Sequence, residues 1–538
     1  MKKISQEQPV SYNLLDHKEL WWVLLVFLLL LVSLFLNLGL APLKHEEPRR
    51  ALISLEMLFR NNWIVPTEFG EYYYKKPPFF NWVIIAGFYL FGNYSEFAVR
   101  FFPILSFIGM GLLVFWVGRK HISMAFGVYS GLLTLTMVDV LYYFSATAGE
   151  IDLFYSFITL ASFFTIFHFY EKQQYYLLFA STYFLGAIGT LTKGLPSLVF
   201  LALSLGVFFL YKRELKKLFG LAHITGILLF IVIVGGYFWW YSQYNALEGF
   251  YASDESLWSQ ASERTMLRNQ LLELIPHLFT FPLITLKNIA PASLLVIFLF
   301  RKNLIASFAQ NRLISFCFFI LMANLLVYWI SPGTRSRYVY MLYPLAVMLL
   351  TYGYLSYPAA KMRGRKIFGK IVMGLIALSL VASMLMPFIP PLANLEYIAL
   401  KSVLVAIAIG ALLFFYLKRP QYALLQLIAL AVIIRLVFAT TVLPIRATEG
   451  SEATDKKDAR NIVNIVDDAP LYMYAHQNIS RTTVFYIEQA REKVLSFSSE
   501  PKTGSFFLVQ KEALENQKYQ IFYTFAYDNQ EFVLIQFK

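Results

Sequence analysis

Apolar residues in this chain fall into long uninterrupted runs rather than into alternation or a one-sided stripe. Runs long enough to cross a hydrocarbon core of roughly 30 Å lie at about 20–40, 97–118, 122–141, 153–170, 175–192, 196–211, 220–242, 278–300, 312–331, 338–357, 368–390, 398–417 and 421–443. The pattern predicts about thirteen membrane helices. The first run, beginning at Glu19, follows about eighteen largely polar residues and exceeds the roughly 7 to 15 apolar residues of a signal-peptide core, so it reads as a retained helix. Between the runs the loops alternate in character. "GRKH", "YEKQQ", "YKRELKK", "RKN", "KMRGRK" and "KRPQ" are short and basic, whereas the others are longer or carry carboxylates. Basic loops are held in the cytoplasm. The N-terminus is therefore expected inside, with everything after Pro444 outside.

That orientation collects the irregular polar segments on one side. The external face is expected to own a long first loop (41–96), the segment after Phe144, "LTKGLP", a loop from Ser242 to Pro276, and "SPGTRSRY". In the first loop Ala51, Leu52, Leu55, Leu58 and Phe59 recur at helical spacing, which predicts an amphipathic helix lying in the membrane interface. A second short helix is expected after "KKPP", because proline suits the first turn. Past "RATEGSEATDKKDARN", a polar stretch that reads as a linker or the start of a soluble domain, come "PLYMYAHQ", "KVLSFS", "SFFLVQ", "YQIFYTFAY" and "EFVLIQF" as strands. "RTTVFYIEQARE" and "KEALENQ" read as helices among them. The division expected is thus a transmembrane domain over 1–444 and a small α/β domain over 445–538, about 90 residues being enough for one.

Composition agrees. Hydrophobic residues make up 58% of 538 positions and charged residues 15%, with a mean hydropathy of +0.57, too apolar for a soluble protein. The net charge of +13 sits in short clusters between apolar runs, as orientation signals do, and argues against nucleic acid as a partner. The single cysteine, Cys317, excludes a disulfide framework.

The chemistry concentrates in the expected external segments. Glu46 and Glu47 follow the first run directly; Glu150 and Asp152 stand in "TAGEIDLFYS" at the start of the fourth. Carboxylates bordering apolar sequence are costly and usually face a cavity. "EYYYKKPPFFNW", "LTKG" and "GTRSRYVYMLYP" supply Tyr73, Lys75, Lys76, Lys193, Arg335, Arg337 and Tyr338. Any one of these cations alone could simply snorkel toward headgroups; together they form a pocket suited to phosphate. Carboxylates beside a phosphate pocket at a membrane surface point to glycosyl transfer from a lipid-linked phosphosugar, where a base must take a hydroxyl proton and cations must hold the departing phosphate. The competing reading is a transporter of a polar or lipid-linked substrate, since intramembrane charges mark pathways there too; a carrier, however, gathers its polar groups near the bilayer midplane. Glu46, Glu47, Glu150, Asp152 and His45 could offer oxygen and nitrogen to a divalent metal, but no ligand spacing is present, so no cofactor is expected as a requirement and the metal question stays open.

"HEEPRRALISLEML", "WIVP" and "YYKKPPFFNW" resemble the first external loop of the GT-C glycosyltransferases that include bacterial aminoarabinose lipid A transferases and protein O-mannosyltransferases. The likeness continues through "RFFPILSFIGMGLLVFWVGRK", "IDLF", "LTKGLPSLV" and "RSRYVYMLYPLAVML". It implies a polyprenyl-phosphate sugar donor, a hydroxyl or phosphate acceptor on lipid, glycan or protein, and inversion by direct displacement. It further implies a bacterial inner membrane with the C-terminal domain in the periplasm. Carried onto this chain, it places Glu46 at the catalytic carboxylate, Glu47 and Arg49 beside it, Tyr73 and Lys76 on phosphate, and Asp152 at the second external carboxylate, with Lys193, Arg337 and Tyr338 completing the binding set. Two departures stand out: Glu46 replaces an aspartate, and Arg50 stands where the lipid A enzymes carry tyrosine.

Overall fold

A computed structural model describes residues 17–143, 145–244, 271–301, 303–357, 362–474, 479–500, 504–514 and 518–537. In chain order the helices are α1 (His17–Phe35), α2 (Glu47–Phe59), α3 (Phe79–Phe91), α4 (Glu96–His121), α5 (Met124–Leu135), α6 (Val138–Tyr142), α7 (Ile151–Glu171), α8 (Tyr175–Lys193), α9 (Pro196–Tyr211) and α10 (Leu221–Tyr244). They continue as α11 (Leu271–Asn288), α12 (Leu304–Gln310), α13 (Arg312–Trp329), α14 (Tyr343–Leu355), α15 (Met362–Leu385), α16 (Pro390–Ala393), α17 (Ile398–Lys418), α18 (Ala423–Thr448), α19 (Ser451–Val466) and α20 (Arg481–Arg491). Seven strands accompany them: β1 (Thr67–Glu68), β2 (Glu71–Tyr72), β3 (Leu471–Tyr474), β4 (Phe497–Ser498), β5 (Phe506–Gln510), β6 (Tyr519–Tyr527) and β7 (Gln530–Phe537).

A helix stands at each of the thirteen predicted runs, but the number of membrane crossings does not follow from that. Among the described residues eight helices are long and apolar enough to span a bilayer, or nine if Glu273–Asn288 and Ala292–Leu299, bent by 117°, count as one broken span. The helices at Glu19–Phe35, Pro196–Tyr211 and Tyr343–Leu355 are apolar but shorter. Their side chains nonetheless feed one continuous core that runs from α1 to α18.

The interface helix is a correction. α2 was expected to lie on lipid with one face polar; instead Ala51, Leu52, Ile53 and Leu55 are all fully buried, and so are Ser54 and Glu56. The reason is the C-terminal domain: α2, α3, α19, α20 and strands β3, β5, β6 and β7 share one apolar cluster, so α2 is roofed by protein. The second short helix starts as expected, with Pro78 as the residue before its first turn.

The polar stretch after α18 is helical (α19) rather than a linker. The five expected strands form a single sheet in the order β4-β3-β5-β7-β6, with β3 parallel to β4 and β5 and the rest antiparallel. α20 joins β3 to its parallel neighbour β4, as a parallel pair requires a crossover. "KEALENQ" forms only a short 3-10 turn at Lys511–Ala513, with 515–517 lying outside the described residues.

Polar contacts tie this sheet unit to the first loop. Tyr486 donates to Glu96 Oε1 at 2.8 Å and accepts from the Leu43 amide at 3.1 Å; Arg481 pairs with Glu68 at 2.5 Å, and Lys456 with Glu96.

Candidate active site

The loop between α1 and α2 positions the first carboxylate. Glu46 is the residue before α2, and Pro48 in the first turn starts the helix without needing an amide partner. Its side chain remains 41% exposed and accepts from Arg49 Nη1 at 2.6 Å. Arg49 in turn pairs with Glu68 at 3.2 Å. Burial pushes the Glu46 carboxyl up, but Arg49, Arg50, Arg481 and Arg337 outweigh it and hold it below the usual carboxylate range.

Two helix ends supply the opposite wall. Asp152 lies in the first turn of α7, where the helix field favours an anion, and Lys193 ends α8, where it favours a cation; they pair at 2.5 Å. Gly194, at φ 83°, turns the chain out of α8 directly behind Lys193 in a conformation other residues avoid. Arg337 bonds Glu150 at 2.7 Å and lies 3.8 Å from Asp152. Lys193 also sits 5.0 Å from the Tyr155 ring and 4.9 Å from the Tyr338 ring. Glu150 is buried, with Oε1 unpartnered; burial first, then neighbouring Asp152, raises its pKa despite Arg337.

These groups enclose a cavity of about 310 Å³ whose lining includes Glu46, Arg49, Tyr73, Lys76, Asp152, Lys193, Arg337 and Tyr338. Residues from four distant parts of the chain therefore converge, as their one-sided placement between helices led one to expect. Tyr73 is buried, and its hydroxyl accepts from Arg50 Nη2 at 3.2 Å. Lys75, Glu150 and Arg335, named among the external charges, line the same cavity, and so does Arg50, which was not expected in the binding set. Arg50 was visible as a charged neighbour of Arg49, but sequence order alone does not say which neighbour turns inward.

Glu47 is the one expected member that does not line the cavity. It is fully buried and turned away from the cavity, accepting from Arg100 Nε at 2.9 Å and Nη2 at 3.1 Å, from the Gly149 amide at 2.5 Å and from the Lys44 amide at 3.1 Å. One residue further round the helix start is enough to exchange solvent for protein. Among the described residues, no three His, Cys, Asp or Glu side chains gather as a metal-binding group; Asp152 and Glu150 are instead engaged by Lys193 and Arg337.

A helical membrane bundle with a small C-terminal sheet unit, and with acidic and basic residues converging beside the first loop, defines the chain as a polytopic membrane protein of the GT-C fold. That fold is the one seen in ArnT from Cupriavidus metallidurans, solved both in the apo state and bound to undecaprenyl phosphate: TM-score 0.68, 19% identity, 96% of this chain and 98% of that one covered. Residues 75–240 match the family described as dolichyl-phosphate-mannose-protein mannosyltransferase. In sequence the chain is 39% identical over 102 residues to an undecaprenyl phosphate-alpha-4-amino-4-deoxy-L-arabinose arabinosyl transferase of Edwardsiella ictaluri, 19% of this chain and 18% of the relative. It is 30% identical over 224 residues to an uncharacterized protein of Aquifex aeolicus, 40% of this chain and 48% of the relative. The chain thus aligns with less than half the length of these relatives.

Proposed function

We propose that the chain is a membrane glycosyltransferase that moves a sugar from a polyprenyl-phosphate donor to a hydroxyl or phosphate acceptor, on the membrane face opposite its short basic loops. The observation that carries this reading is the single cavity in which an accessible carboxylate, Glu46, faces a set of phosphate-binding cations. The likeness to ArnT and to the arabinosyl transferases supports the donor class.

Glu46 is the base. Its oxygens are reached from solvent and its neighbouring arginines keep it ionised, whereas Asp152 is buried and bonded by Lys193, with Arg337 3.8 Å away. The acceptor hydroxyl attacks the anomeric carbon as Glu46 takes its proton; the bond from that carbon to the phosphate oxygen breaks, and the phosphate leaves with the electron pair. Direct displacement inverts the carbon. A lipid phosphate is a weak base and needs no proton on leaving, only cations and a hydroxyl donor to stabilise its growing charge, for which Lys76, Arg337 and the Tyr73 hydroxyl line the cavity. Asp152 then acts by holding Lys193 and Arg337 in position. The reaction so written requires no metal or other cofactor. In a bacterial inner membrane this reading has the N-terminus in the cytoplasm and residues 445–538 in the periplasm, packed against α2 and α3 of the first loop.

The test uses the full chain in membranes supplied with a radiolabelled polyprenyl-phosphate sugar, following label into lipid, glycan and protein fractions. Label should leave the donor, and Glu46→Gln should lower transfer by about 10²- to 10⁴-fold with unchanged protein level and melting. Absence of any transfer by the wild type, or near-normal transfer by Glu46→Gln, refutes the reading or the assignment respectively.

A further inference from the structure

A guanidinium unserved by the described residues stands in α18. Arg435 is 0% exposed, and among the described residues its Nε, Nη1 and Nη2 all lack a hydrogen-bond partner. Nη1 of Arg446, three turns along the same helix, is also buried and unpartnered. The two guanidinium carbons lie 5.0 and 5.2 Å from the centre of the Phe438 ring, so they form one dicationic cluster. Tyr142 packs edge-on against Phe438 at 5.5 Å and spends its hydroxyl on the Ala431 carbonyl, leaving the arginines unserved. Neither arginine lines the cavity at Glu46.

Such an arrangement is costly as it stands. An unmade hydrogen bond on a buried group is costly, and an uncompensated buried charge more so; a ring face returns only part of that. Buried charges are retained where something pairs with them. The depth of the cluster says what is at hand. Arg446 stands three residues past the apolar run that closes at 443, at the headgroup level of the leaflet on the cavity side, where phosphates are concentrated. Arg435 starts about 12 Å deeper than the end of that run, but its guanidinium meets the same Phe438 ring as that of Arg446. Between them the Ala439 carbonyl accepts from Asn37, just past the end of α1. Four unsatisfied nitrogens on two planar forks match a tetrahedral oxyanion, which offers several oxygens at once.

We infer that Arg435 and Arg446 form a second phosphate site, separate from the cavity at Glu46, that takes the phosphate of a lipid in that leaflet. The inference does not rest on the transferase reading. It is tested on the purified, delipidated full chain by native mass spectrometry, with three probes offered separately: a short-chain polyprenyl phosphate, phosphatidylglycerol and inorganic phosphate. Wild type should hold one more lipid phosphate than Arg435→Gln or Arg446→Gln, or hold it about 10-fold more tightly, a tenfold change being about 1.4 kcal/mol. Which of the two lipids binds names the source. Because Arg435→Gln alters a fully buried side chain and can fail to fold, Arg446→Gln at the half-buried helix end carries the same readout. Equal stoichiometry and affinity in wild type and variants overturns the site, and binding of inorganic phosphate with neither lipid overturns the lipid assignment.

Discussion

Glu47 and Arg100 offer a test of where scaffold ends and site begins. Glu47 is 0% exposed and Arg100 1%. Arg100 meets the carboxylate through two nitrogens and gives its remaining donors to the carbonyls of Leu38, Ala41 and Pro42 at 2.8, 2.8 and 2.9 Å. The pair thereby pins the chain leaving α1 against α4, and through the Gly149 amide it also pins the segment that carries Glu150. Glu47→Ala strands a buried guanidinium without its anion, which costs about 3–5 kcal/mol. Replacing both residues by methionine removes both charges but orphans three carbonyls and the Gly149 and Lys44 amides, at about 1 kcal/mol or more each; the double variant should still cost well under the sum of the two single losses. Unfolding in detergent, followed for the four corners of this cycle, gives the coupling, and donor affinity measured on folded protein gives the other half. We expect a large loss of stability in Glu47→Ala with donor affinity of the surviving fold close to wild type. A variant that melts within about 1 kcal/mol of wild type yet loses donor binding selectively would return Glu47 to the binding set and refute this assignment.

Three further outcomes follow from the same geometry. A Cβ on Gly149 would fall 2.3 Å from Val99 Cγ1, so Gly149→Ala must shift the segment bearing Glu150 and Asp152; turnover should fall by about 10²-fold, as a displacement near 1 Å can cause, and unchanged turnover would show that this backbone does not set the site. Burial, then Glu56, pushes the Glu488 carboxyl up, and burial pushes Glu56 to about 7 although Thr67 and the Phe69 and Gly70 amides bond it. Both groups hold protons in the folded chain that the unfolded chain releases near pH 4.3, so their contribution is complete below that pH and is lost as pH rises through about 7; melting of the wild type should therefore decline from pH 5 to 9 more steeply than that of Glu488→Gln, and parallel curves would exclude the pair as the cause. For Glu46 the sign is opposite: its depressed pKa keeps the base ionised until the pH falls below the ordinary glutamate range, so Arg49→Ala should move the acid limb of kcat/KM upward, and an unmoved limb would separate Arg49 from the base.

How far the sequence reaches depends on the range of the force involved. Runs of apolar residues locate helices because burial in lipid is decided locally, and a helix duly stands at each run. Whether a run completes a crossing is another matter: α14 is thirteen residues long, and the run at 278–300 breaks by 117° near Ala292, because packing partners can complete a core that no single helix spans. The cavity was legible because its members all follow helix ends on one side, so topology alone brings them together. Glu46 and Glu47 were not separable, since what distinguishes them is Arg100, 53 positions on in the chain. The burial of α2 was likewise invisible, its polar residues being satisfied by Asn81, Thr67 and the Phe69 and Gly70 amides, and its apolar ones covered by the C-terminal domain, rather than by lipid. Arg435 shows the converse. Its place in "AVIIRLVF" is conspicuous to the eye, and within an apolar run an arginine reads most simply as a residue with a partner elsewhere in the fold; yet among the described residues none bonds it. Long-range pairing thus decides, for each charge in this chain, whether it supports the fold, faces the cavity or waits for an anion from outside.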